Sequence, residues 1–348
     1  MKTAQTDRLA SRVLAAYGAT FEAARVVYVG TAGGFSGAIF WRVVTSHGTY
    51  CLRRWPKAHP HPERLEFIHS VLRHVEQKGF HVVPVPCRTG QGETFLQAGG
   101  HLWELAPWMA GEADFQRAPS EAKLRAALAA LARFHRAAAT HTRPASRRGP
   151  SPGVANRLAE IHRWLQGDLH RLSACIVRST MPELADRAGR LVELLPRVAT
   201  GVRQQLESVA PSEVPLQPCL RDVWSDHVLF RRERVSGLID FGAMRVESPA
   251  ADVARLLGSM AADRWDEWQI GLSAYQEIRP LEAAEHRLVK ALDASTALLA
   301  GMNWARWIYL DDRHFDDYPT ILERLSGFLD RVERLAQADQ GPIRIPAR

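Results

Sequence analysis

Residues Cys219 to Gly242 read CLRDVWSDHVLFRRERVSGLIDFG. Val228, Leu229 and Phe230 form an apolar run, Arg231 to Arg234 a charged turn, and Val235 to Ile239 a second apolar run. Period and turn chemistry predict strand, turn, strand. Pairing the strands brings His227, just before the first, next to Asp240, just after the second. Asp222 sits on the loop that leads in. Two carboxylates and an imidazole converging on one point suit a divalent cation beside a general base.

Around this stretch lies an ordinary globular composition. The chain has 348 residues, 46% apolar and 24% charged, long enough for two lobes with separate cores. A formal net charge of +7 fits anionic ligands such as nucleotides. The charge is spread along the chain rather than gathered in a stripe, so no nucleic-acid partner is expected. The four cysteines, Cys51, Cys87, Cys175 and Cys219, have neither zinc-site nor disulfide-framework spacing. Met1 to Ala10 has no apolar signal core. The longest apolar candidate, Ala291 to Leu310, is broken by Asp293, Asn303 and Arg306, so no membrane span is expected and the reading is cytoplasmic.

In chain order, Thr6 to Tyr17 reads as an amphipathic helix and Arg25 to Gly30 as a first strand. Gly30 to Gly37 is a glycine-rich turn leading into a strand over Ala38 to Thr45. Such a turn lets backbone N–H groups approach phosphate oxygens, or simply reverses the chain. It is not a Walker A loop, because no Lys-Ser/Thr follows. Thr49 to Trp55 reads as a third strand carrying Arg53 and Arg54, which face opposite sides. Three histidines, His59, His61 and His69, follow without the fixed geometry a metal site needs. Arg64 to Lys78 is a helix. His81 to Pro86 and Glu93 to Leu96 read as strands, and Leu102 to Met109 as the last one. From Ser120 onward the pattern is helical: Asn156 to Val177, Glu183 to Val209, Ala251 to Met260, Trp265 to Ile278, Ala283 to Leu310 and Tyr318 to Ala336. Strands first and helices after fit an α+β, two-lobe architecture.

Leu220-Arg221-Asp222, His227 five residues on, and Ile239-Asp240-Phe241-Gly242 resemble the catalytic and metal-binding loops of kinase-fold enzymes. The short hairpin between the aspartates, and Ser248 to Ala254 after them, are most similar to the aminoglycoside phosphotransferase-like family. The resemblance implies a protein-kinase-like fold: a small β-rich N-lobe over 1–108, a larger helical C-lobe over 109–340, and a tail over 341–348. It implies ATP and Mg²⁺ as cofactors and a small-molecule hydroxyl as acceptor. Asp222 would take the hydroxyl proton. Asp240 would hold the metal with His227 or Asp226. Gly33, Gly34, Ser36 and Arg53 would hold the phosphates, with Arg54 the alternative cation. Glu66, or Glu63 one turn earlier, would pair with the strand cation. Asp252 would brace the catalytic loop from below, and Met109-Ala110-Gly111 would end the hinge. Two departures stand out: Leu220 where the family has His, and His227 where it has the metal-binding Asn, although Mg²⁺ prefers oxygen. They motivate an alternative, a pseudokinase that binds nucleotide without transfer. A protein kinase is disfavoured, because no Ala-Pro-Glu segment follows Gly242.

Overall fold

The computed structural model describes residues 2–22, 24–31, 37–141, 147–311, 313, 315 and 318–338. They form two compact units, Met1–Ala145 with Asp222–Arg245, and Ser146–Arg221 with Val246–Arg348.

The first unit is built on an antiparallel sheet with strand order β1-β2-β3-β5-β4: β1 (Arg25–Gly30), β2 (Ile39–Thr45), β3 (Gly48–Arg54), β4 (Leu96–Ala98) and β5 (His101–Pro107). Residues directly opposite one another in such a ladder share a face. Trp41, Leu52 and Leu105 are opposite one another across β2, β3 and β5. They form the buried face, with Trp103 stacked on Trp41 at 5.2 Å and helix α1 (Lys2–Ala15) contributing Val13 and Leu14. The neighbouring row, Phe40, Arg53 and Glu104, therefore faces the other way, and that row carries the site. Helix α2 (Pro62–Gln77) starts on Pro62 and buries Leu65, Ile68, His69, Val71, Leu72 and Val75. Helix α3 (Glu121–Ala138) is capped by Ser120, whose hydroxyl accepts from Lys123 N–H at 3.1 Å.

One expected strand does not form, and the one expected over Glu93 to Leu96 is displaced to Leu96–Ala98. His81 to Pro86 is irregular, since Pro84 and Pro86 remove two ladder donors. The segment still lends Val82 O to Leu238 N–H, and just after it Cys87 N–H reaches Leu105 O.

The hairpin forms as the sequence predicts: β6 (Val228–Arg231) pairs with β7 (Arg234–Leu238), with a bulge between Val235 and Gly237. A bridge from Glu112 to Phe230 fastens the 109–112 segment to it. Gly111 makes this approach at φ 118°, where a Cβ would run into Ser236 Oγ and the Phe230 carbonyl. Gly111→Ala is therefore expected to cost more than about 1 kcal/mol, seen as a lowered Tm. An unchanged Tm would show that position 111 does not need the close approach to Ser236 and Phe230.

The second unit is mainly helical: α4 (Pro152–Arg163), α5 (Leu169–Ile176), α6 (Pro182–Val209), α7 (Ala250–Ala261), α8 (Trp265–Gln276), α9 (Ala283–Tyr309) and α10 (Tyr318–Ala338). The continuous helix expected over Asn156 to Val177 is instead α4 and α5 joined by a π-helical turn, Trp164–Asp168, in which Gly167 leaves helical dihedrals. Helix α9 is buried on several sides, against α6, α7 and α10. No helix among the described residues is long and apolar enough to cross a membrane. All four cysteines are free thiols.

Candidate active site

Strand β3 delivers Arg53 to Asp240. The guanidinium lies 3.4 Å from the Trp55 ring centroid and 5.2 Å from that of Phe40, a face-on aromatic seat that suits a planar cation. Its two terminal nitrogens donate to Asp240 Oδ1 at 3.4 and 3.3 Å. Arg54, the alternative cation, lies over Trp103 on the opposite face, as the strand period requires. Asp240 stands at φ 58° and its carboxylate also accepts from Gly242 N–H. Burial pushes this carboxyl up. Arg53, the His227 ring and the Gly242 N–H together outweigh burial and hold it below the usual carboxylate range.

Behind Arg53 lies a second carboxylate that sequence reasoning missed. Glu104 on β5 is directly opposite Arg53, and its Oε2 meets His69 Nε2 at 2.7 Å, while His69 Nδ1 meets Thr94 Oγ1 at 2.8 Å. Burial raises the Glu104 carboxyl, but His69, Arg53 and the Trp55 indole draw it below its ordinary value. Helix α2 thus reaches the Arg53 row through a histidine, His69, and not through the expected Glu66. Both Glu66 and Glu63 are exposed. A signal was present: His69 falls on the Leu65, Ile68 and Leu72 side of the helix, where a polar residue needs a buried partner.

This pair carries a pH prediction. A carboxyl with a lowered folded-state pKa contributes stability above its unfolded pKa, and that contribution disappears as pH falls through the lowered value. Glu104→Gln leaves His69 and Arg53 without their shared carboxylate and should cost about 3 kcal/mol at neutral pH. Its Tm should fall less steeply than the wild type's under acid. Parallel acid profiles would contradict the assignment.

The approach to Asp222 is braced inside the second unit. Asp252 on α7 accepts from Leu220 N–H at 2.7 Å and Arg221 N–H at 2.6 Å. Arg221 is held at φ 69°. Its guanidinium meets fully buried Glu247 at 3.2 Å, and Glu247 also accepts from Ser151 Oγ at 2.6 Å and Ser248 N–H at 2.9 Å. Leu220, where a histidine was the family pattern, is fully buried.

In the first unit, Asp222 is half-buried and its carbonyl meets His227 Nδ1 at 2.6 Å. His227 Nε2 accepts from Trp224 Nε1 at 2.9 Å and stands 3.8 Å from Asp240 Oδ2. The hairpin therefore brings His227 to Asp240, as its pairing implied. Asp226 receives Ser225 Oγ at 3.2 Å, and Ser225 Oγ in turn receives Gln116 Nε2 at 3.2 Å. Trp224 and Gln116 had no sequence signal. Gly33, Gly34 and Ser36 lie outside the described residues.

The model of the phosphotransferase enzyme family matches residues 28–290, from β1 into α9. The chain belongs to the phosphotransferase enzyme family. Among curated relatives of this phosphotransferase, a homoserine kinase of Methylobacterium nodulans is 25% identical over 279 residues, 78% of this chain and 77% of the relative. A homoserine kinase of Nitrobacter winogradskyi is 28% identical over 239 residues, 67% of this chain and 65% of the relative. Among solved structures, a microcompartment-associated aminopropanol kinase superposes with a TM-score of 0.67 at 16% identity, covering 96% of this chain and 98% of the other. A spectinomycin phosphotransferase superposes with a TM-score of 0.62 at 15% identity, covering 90% and 93%. At such identities the structures establish the fold: α+β, two-lobed and kinase-like. The phosphotransferase is a small-molecule kinase.

Proposed function

We propose that this phosphotransferase moves the γ-phosphoryl group of ATP to the hydroxyl of a small molecule, and that a hydroxylated amino acid of the homoserine type is the acceptor class to test first. One observation carries the reading. Asp222 and Asp240 meet at a single side chain, His227, which touches the Asp222 carbonyl and lies 3.8 Å from the Asp240 carboxylate. The acceptor class is supported by the homoserine kinases among the relatives.

Asp222 accepts the hydroxyl proton as the new O–P bond forms and the bond from the γ-phosphorus to the β,γ-bridging oxygen breaks, with ADP as the leaving group. Arg53, seated between Phe40 and Trp55, offers its guanidinium to the nucleotide phosphates, and the backbone at Gly33, Gly34 and Ser36 offers N–H groups. The donor set fits Mg²⁺, a hard cation that takes oxygen, because Asp240 is a carboxylate held ionised and Asp226 lies one residue before His227. Bound there, Mg²⁺ neutralises phosphate charge. The protein's share of the catalysis is positioning and electrostatics.

The test is an ADP-release assay with ATP and Mg²⁺ over a panel of homoserine, amino alcohols, sugars and aminoglycosides, with product mass as the second readout. Phosphorylated homoserine or a close hydroxy-amine is the expected result. Transfer only to a sugar or an aminoglycoside would remove the acceptor class and keep the kinase. No transfer to any acceptor would remove the proposal.

A further inference from the structure

We infer that His227 is a positioning residue locked by Trp224, not a metal ligand, so that the cation of this site is held by oxygen alone. The inference rests on the reading of Asp222 and Asp240 as the reacting-site carboxylates.

Every polar group of His227 is accounted for. Its N–H donates to Trp224 O at 2.9 Å, and its carbonyl accepts from Ile239 N–H at 3.0 Å. In the ring, Nδ1 lies 2.6 Å from the Asp222 carbonyl. A carbonyl oxygen only accepts, so Nδ1 carries the proton. A neutral imidazole then has one lone pair, on Nε2. That lone pair receives the Trp224 indole N–H at 2.9 Å, and an indole nitrogen only donates. The two rings meet edge to face with centroids 5.3 Å apart, so the indole fixes the ring plane as well as the tautomer.

A metal on His227 would have to take the electron pair the indole already holds. Breaking that contact would cost the partly buried indole N–H its bond to Nε2, about 1 kcal/mol. Mg²⁺ gains little from nitrogen in exchange. An asparagine at this position would offer a carbonyl oxygen. His227 instead spends both ring nitrogens on the loop itself: Nδ1–H holds the Asp222 backbone and Nε2 is pinned three residues earlier in the same turn. The turn Trp224–His227 is thereby a closed clasp on the residue that takes the proton. The clasp works only because an aromatic donor stands at position 224.

Two spectroscopic readouts and one kinetic readout test this on the full chain. Long-range ¹H–¹⁵N correlation of the histidine side chains, with His227→Asn as the assignment control, should show His227 as the Nδ1–H tautomer without metal. The Nε2 signal should stay in place when Mg²⁺ and the β,γ-methylene analogue of ATP are added. With Mn²⁺ and the same analogue, electron spin-echo modulation should show no directly bound imidazole ¹⁴N. A coordinated imidazole that disappears in His227→Asn would overturn the inference, as would an Nε2–H tautomer. If no Mn²⁺ binds with the analogue, the kinase reading fails, while the tautomer still decides the role of His227. Kinetically, Trp224→Phe keeps an aromatic side chain and removes the N–H donor together with the five-membered part of the indole. It should lower kcat roughly tenfold to a hundredfold through misplacement of Asp222, with KM for ATP within twofold of wild type. A variant with unchanged kcat would overturn the clasp. A rise in KM for ATP at constant kcat would assign Trp224 to nucleotide binding instead.

Discussion

Asp240→Ala is expected to lower Mg²⁺·ATP-dependent turnover by roughly 10³-fold, because it removes the carboxylate on which the metal reading depends. The same change should abolish the Mg²⁺-dependent part of the thermal stabilisation by ATP. Folding is a separate matter. Asp240 is 40% exposed on its side chain, so solvent screens its pair with Arg53 and the pair contributes on the order of 1 kcal/mol or less. Arg53 also keeps its aromatic seat on Trp55 and Phe40. The variant should therefore remain folded, which circular dichroism checks, and lose function without losing structure. Its carboxyl is held below the usual range, so at neutral pH the wild-type group is ionised and ready for a cation. Full activity in a folded Asp240→Ala protein would take Asp240 out of the mechanism.

How much of this was readable in the sequence depends on the range of the interaction. The 228–238 hairpin was legible because its information is local: two apolar runs, a charged turn and an aspartate at each end. The choice between Arg53 and Arg54 was not local. The register of β3 against β2 and β5 puts Arg53 in a row with Phe40 and Glu104 and sends Arg54 to the Trp103 face. The family resemblance points to an acid on α2, at Glu66, as the partner of the strand cation. The structure puts one acid on β5 and another after the hairpin, while α2 contributes His69. No helix periodicity encodes a contact between residues 35 apart in sequence. His81 to Pro86 fails for the opposite, local reason: its apolar residues suggest a strand, but Pro84 and Pro86 cannot donate to a ladder. Trp224 was invisible because its role lies in the direction of one N–H, a property of the folded turn.

Asp222→Asn is the second large effect, and it should look different. A carboxamide has nearly the shape of a carboxylate but does not accept a proton at neutral pH. Loss of general-base help is expected to lower kcat roughly 10²- to 10⁴-fold. The backbone around position 222 has anchors besides the 222 side chain. Leu220 and Arg221 are fixed by their N–H bonds to Asp252, Arg221 is anchored on buried Glu247, and the Asp222 carbonyl is held by His227. Asn at 222 should therefore keep the backbone anchored and leave Asp240 and the Arg53 seat in place. Mg²⁺-dependent stabilisation by ATP should persist at wild-type size, and KM for ATP should stay within a few-fold. The two variants then separate the two acids by one measurement. Asp240→Ala loses the metal-dependent thermal shift together with turnover, whereas Asp222→Asn keeps the shift and loses turnover alone. If Asp222→Asn also lost the shift, Asp222 would belong to the cation site, and the proton would need another acceptor. If it kept both the shift and turnover, transfer would proceed on positioning and charge neutralisation without a base.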